Sequence, residues 1–99
     1  MRVVWTKPAS QRLREIFKYY EREAGRRIAK RVISRVFNAT AQIEKFPESG
    51  RVEENLKSLN ENHRYILRSG HKIIYKIKSN TIFITDVFDT RRDPKNMNE

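Results

Sequence analysis

Arg64, Arg68, Lys72 and Lys76 recur through residues 63–78, and Arg91 and Arg92 follow within a short distance. Cations so placed can hold phosphate. With a proton acceptor beside them they can also support metal-free RNA cleavage, in which a 2′-hydroxyl attacks its own phosphate. Arg64, Lys72 and Arg91 are the candidates for such catalysis. The full set for nucleic-acid binding is Arg64, Arg68, Lys72, Lys76, Arg91 and Arg92. The base is open between Asp86, Asp89 and a lysine whose pKa is lowered by like-charged neighbours. His63 and His71, the only histidines, stand at no metal-ligand spacing from nearby acids, so neither a metal nor a cofactor is expected. Zero cysteines exclude a thiolate nucleophile and a disulfide framework, and three glycines leave no room for a phosphate-cradling loop.

Positioning those cations falls to strands. Residues His63–Ser69, Lys72–Lys78 and Thr81–Phe88 alternate at period two, with turns at Ser69-Gly70-His71 and Ser79-Asn80. Side chains on a strand point to opposite faces in turn. Tyr65 and Leu67 therefore share a face, as do Ile73, Tyr75 and Ile77. Placed under a helical layer, these apolar sets leave Arg64, Arg68, Lys72, Lys76 and Lys78 on the open side, with Arg91 and Arg92 closing its rim. The competing explanation is ordinary: exposed strands carry Lys and Arg to blunt edge pairing.

Upstream, Arg2–Thr6 is β-branched and aromatic and predicts a first strand. Thr6 is placed to cap the helix that follows, and Pro8 suits its first turn. Apolar residues at Ala9, Leu13, Ile16, Phe17, Tyr20 and Ala24 make one helical stripe, and Ile28, Ala29, Val32, Ile33, Val36, Ala39 and Ile43 make another. Gly25 separates them, which predicts an antiparallel helical hairpin. Arg27, Lys30, Arg31 and Arg35 lie opposite the second stripe and read as a solvated helix face. Residues 48–62 read as a connector anchored by Leu56 and Leu59, and residues 89–99 as an irregular tail. The expected fold is α+β, β-α-α-β-β-β, with the hairpin on one face of a small antiparallel or mixed sheet.

The whole chain of 99 residues suits one small domain with a thin core, at 37% hydrophobic content. Twenty-two Lys and Arg against twelve Asp and Glu leave a net charge of +10, which points to a polyanion or an acidic protein as partner. No apolar run is long enough to span a bilayer or to serve as a secretory signal, so a soluble cytoplasmic protein without a membrane partner is expected.

The order of these pieces resembles the RelE/ParE superfamily of type II toxin–antitoxin toxins across nearly the whole chain. The resemblance is carried by Val4-Trp5-Thr6, by Ala9, Leu13, Ile16, Phe17 and Tyr20, and by Phe46-Pro47-Glu48-Ser49-Gly50-Arg51. It continues through Arg64-Tyr65-Ile66-Leu67, Lys72-Ile73-Ile74-Tyr75-Lys76-Ile77 and Val87 to Pro94. It implies a basic toxin neutralised by a cognate antitoxin, whose partly helical segment wraps around it. Two mechanisms divide the superfamily: RelE-like members cut mRNA in the ribosomal A site, and ParE-like members poison DNA gyrase. On the RelE pattern Arg64 replaces a catalytic lysine, Lys72 an arginine, and Arg91 sits near a late arginine. Ile66 stands where a second lysine is required, and no terminal aromatic or histidine matches, with Asp89 and Met97 in that neighbourhood. Trp5, the long hairpin and the Pro47–Arg51 segment are closer to the ParE-like branch.

Overall fold

Thr6 begins the helical layer. In the computed structural model, which describes residues 1–99, its side chain accepts from the Ala9 N–H at 3.3 Å, and Pro8 occupies the first turn. Strand β1 (Arg2–Trp5) thus passes directly into α1 (Lys7–Ala24). At Gly25, φ is +92°, a conformation that costs an L side chain about 1 kcal/mol or more. Its N–H donates to the Glu21 carbonyl and its carbonyl accepts from Ala29, both at 3.1 Å, so one residue ends α1 and begins α2 (Arg26–Lys45).

After α2 come β2 (Arg51–Val52), a 3₁₀ turn at Glu54–Leu59, and three longer strands: β3 (Arg64–Arg68), β4 (His71–Lys78) and β5 (Thr81–Asp89). The sheet order is β1-β5-β4-β3-β2, with β1 parallel to β5 and every other pairing antiparallel, so the sheet is mixed. The expected order of elements is present, and β2 is an addition within the stretch read as a connector.

The hairpin covers one face. Ala9, Val36, Ala39 and Ile43 pack there against Ile66, Ile73, Tyr75, Ile82, Ile84 and Val87. Alanines at two of these four helical positions, Ala9 and Ala39, let the layers approach closely. A smaller cluster of Leu56, Ile74, Phe88 and Met97, flanked by Tyr65, occupies the reverse face. Leu56 anchors the connector as expected, whereas Leu59 is exposed, as is Ala24 at the C-terminal end of α1. The tail is not loose: Pro94–Asn96 forms a 3₁₀ turn and Met97 is buried in the reverse-face cluster.

Candidate functional site

The β3–β4 register overturns the expected cationic face. Ser69 and Gly70, both at positive φ, form a two-residue turn that sets Arg68 opposite His71. Ile66 then lies opposite Ile73 and Arg64 opposite Tyr75, on the helix side, while Leu67 pairs with Lys72 and Tyr65 with Ile74 on the reverse side. Tyr65 and Leu67 do not lie under the helices, and Arg64 and Arg68 do not lie on the open face. The expectation failed because β3 carries apolar residues on both faces. A three-residue turn at 69–71 selects the wrong one, and a two-residue Ser-Gly turn would have selected the right one.

Each predicted cation can now be placed. Arg64 donates to the Gly50 carbonyl at 2.9 Å and the Glu48 carbonyl at 3.4 Å, tying β3 to the loop after α2. Arg68 donates to Gln42 Oε1 and to the Leu67 carbonyl. On the reverse face the Lys72 ammonium lies 2.8 Å from the fully buried Glu53 carboxylate and 4.4 Å from the centre of the Tyr65 ring. Lys76 meets Glu61 at 3.1 Å and draws that carboxyl below its usual range. Arg91 forms a two-point pair with Asp89, at 2.7 and 3.1 Å, which pulls the Asp89 carboxyl down to about 2. Arg92 is exposed and lies within ion-pair distance of no acid. The six residues therefore form no common surface, and three of them are neutralised by the chain's own carboxylates.

Sequence reasoning missed three arrangements. Glu53 is buried at the end of β2 and gathers Lys72 and the Asn55 side chain, the latter at 2.8 Å. An acid in a polar connector gives no sign of burial until β4 is known to pass beneath it. Asp86 lies on β5 beyond the last β1 pairing, bonded to Arg12 Nε at 3.1 Å and to the Asn98 N–H at 2.9 Å. Burial raises the Asp86 carboxyl despite those partners, and the contacts clasp the tail against α1. The third is a cleft of about 290 Å³ between α1 and the paired ends of β4 and β5, lined by Tyr19, Tyr20, His71, Asp89, Arg91 and Arg92 among others. His71 is buried, which depresses its pKa. Its Nδ1 faces the Ser69 carbonyl at 3.2 Å, so Nδ1 carries the proton and Nε2 is the acceptor of the neutral ring. No three His, Asp or Glu side chains converge as a metal cage requires.

The outer side of the hairpin is different in character. Leu13, Phe17 and Ile33 floor an open groove between α1 and α2, rimmed by Arg14, Lys18 and Lys30, with a volume near 630 Å³. It offers apolar area with cations at its margin, which suits an acidic amphipathic segment better than a small molecule.

Comparison with known proteins bears on the same elements. The family model described as the ParE toxin of the type II toxin–antitoxin system parDE matches residues 3–94. A chain in the solved chromosomal ParDE toxin–antitoxin system from P. aeruginosa shares the fold. The TM-score is 0.75, over 90% of this chain and 95% of that one, at 16% identity. No curated protein matches significantly.

Proposed function

The chain belongs to the ParE toxin family of type II toxin–antitoxin systems, and we propose that it inhibits DNA gyrase by binding it as a protein, without cutting RNA. The observation that carries this reading is the fate of the strand cations. Metal-free RNA cleavage needs unpaired cations converging on one phosphate with an acid–base pair beside them. Here Lys72, Lys76 and Arg91 each lie 2.7–3.1 Å from an internal carboxylate, and Arg64 and Arg68 face the other side of the sheet. We assign these residues to holding the fold together. The hairpin, with its open apolar groove, is the surface we propose for partners, and no helix is long and apolar enough to cross a membrane. The cytoplasm, where replication proceeds, is the proposed place of action.

An antitoxin partner follows from membership of a toxin–antitoxin family. Its docking place is proposed as the groove of Leu13, Phe17 and Ile33, with acidic side chains meeting Arg14, Lys18 and Lys30.

A supercoiling assay with purified gyrase and relaxed plasmid tests the proposal. The full chain should leave the plasmid relaxed or trap it as a cleaved complex. Normal supercoiling at saturating chain, together with broken transcripts in primer extension on translated mRNA, would replace this reading with the RelE-like one.

A further inference from the structure

We propose that the outward face of α2 binds the phosphate backbone of duplex DNA, through Arg27, Lys30, Arg31 and Arg35. The inference stands on charge geometry and does not depend on the gyrase reading.

Half of the chain's surplus charge is on this helix. Arg26, Arg27, Lys30, Arg31, Arg35 and Lys45 face a single acid, Glu44, which gives five of the ten net positive charges. Ala29, Val32, Val36, Ala39 and Ile43 are buried, so the four proposed residues point away from the core, and all four are exposed. None of them lies within ion-pair distance of a carboxylate. Arg35 donates to Ser69 Oγ at 3.0 Å, which retains its charge and fixes its direction. The strand cations, by contrast, are consumed internally.

The arrangement costs the helix stability. Arg27 and Arg31, Arg31 and Arg35, and Arg26 and Lys30 are like charges four residues apart with no acid between them. Arg26 and Arg27 also stand in the first turn, which has no acidic residue, where the helix dipole disfavours cations. Solubility alone would be served as well by mixed charges. A polyanion relieves both repulsions at once.

The chemistry favours duplex DNA. Arg27, Arg31 and Arg35 succeed one another at about 6 Å along the axis, and three of the four residues are arginines, whose guanidinium forks grip phosphate at two points. Single-stranded nucleic acid is held by aromatic stacking. The only aromatic residue on α2 is Phe37, outside the stripe, with its ring centre 5.8 Å from that of Trp5.

Fluorescence anisotropy of the full chain with a labelled duplex of mixed sequence tests this without gyrase present. Four phosphate contacts predict a weakening on the order of 150-fold between 50 and 200 mM NaCl. The triple variant R27Q/R31Q/R35Q should bind more than tenfold more weakly at 50 mM and lose about three quarters of that salt slope, Lys30 remaining, while its melting temperature stays level or rises. Arg31→Gln alone should lower the salt slope by about one. The charge-matched K57Q/K78Q/K95Q, which removes exposed cations elsewhere, should bind within about twofold of the parent. Equal losses in the two triple variants, no binding at 50 mM, or tighter binding to single-stranded RNA of the same length would overturn the proposal.

Discussion

Tyr75 and Gly50 meet with no space between them. The Tyr75 hydroxyl donates to the Pro47 carbonyl at 2.7 Å and accepts from the Gly50 N–H at 3.0 Å, so one buried ring fixes the loop from α2 to β2. A Cβ on Gly50 would lie 2.5 Å from that hydroxyl. Gly50→Ala should therefore cost about 1–3 kcal/mol by overpacking, and Tyr75→Phe about 1–3 kcal/mol by leaving both loop groups unpaired. Urea denaturation measures both. Lys72 shows a second form of dependence. Lys72→Ala abandons a buried carboxylate and should cost roughly 3–5 kcal/mol, whereas E53Q/K72A should recover a large part of it. If the single variant is no worse than the double, the contact between Lys72 and Glu53 is not what stabilises this part of the sheet. For pH, His71 has a pKa below the usual imidazole range because burial disfavours the cation, with Asp89 and Arg91 opposing one another beside it. Around pH 6 the unfolded chain therefore binds more protons than the folded one. The resulting stability is present above about 6.5 and is lost as pH falls. The urea midpoint should drop on acidification from pH 7.5 to 5.5, and His71→Phe should flatten the drop. Asp89, at about 2, contributes stability that is fully present above its ordinary range and fades only toward that value.

At the level of elements, the hairpin and the longer strands were legible because each has a clear period and clear stops. Thr6, Pro8 and Gly25 act where their chemistry placed them. The face of β3 was not legible from alternation, since Ile66 competes with Tyr65 and Leu67, and only the Ser69-Gly70 turn resolves the competition. The tail was illegible for a related reason: Met97 and Asn98 reach partners on β5 and beyond only after the sheet has formed. Met97→Ala should cost about 2–5 kcal/mol, the range for truncating a buried apolar side chain. Near-parental stability in urea would mean the tail only rests on the sheet. The groove between α1 and α2 was not legible: Leu13, Phe17 and Ile33 read only as members of the two apolar stripes, and their meeting in one open groove depends on how the helices register. Phe17→Glu or Lys18→Glu should weaken antitoxin binding at least tenfold by calorimetry while leaving the fold intact. Unchanged affinity in both variants would move the docking surface elsewhere.

Across the whole molecule the surplus of +10 is a real property, but it is unevenly spent. Strand cations are committed to Glu53, Glu61 and Asp89, and the free charge is concentrated on the hairpin. A basic composition therefore did not say which surface carries the free charge, and the strand face on which it was expected has its cations paired within the chain. A partner that binds only the folded chain stabilises it by about 2.7 kcal/mol at a hundredfold excess over Kd, so the antitoxin should raise the melting temperature. We propose that this ParE-family chain acts on gyrase through binding and leaves RNA intact. Expression of the chain without antitoxin, followed by pulses of labelled thymidine and labelled methionine, tests it most directly. Thymidine incorporation should collapse first while methionine incorporation continues. Loss of methionine incorporation first, with DNA synthesis still running, would contradict it.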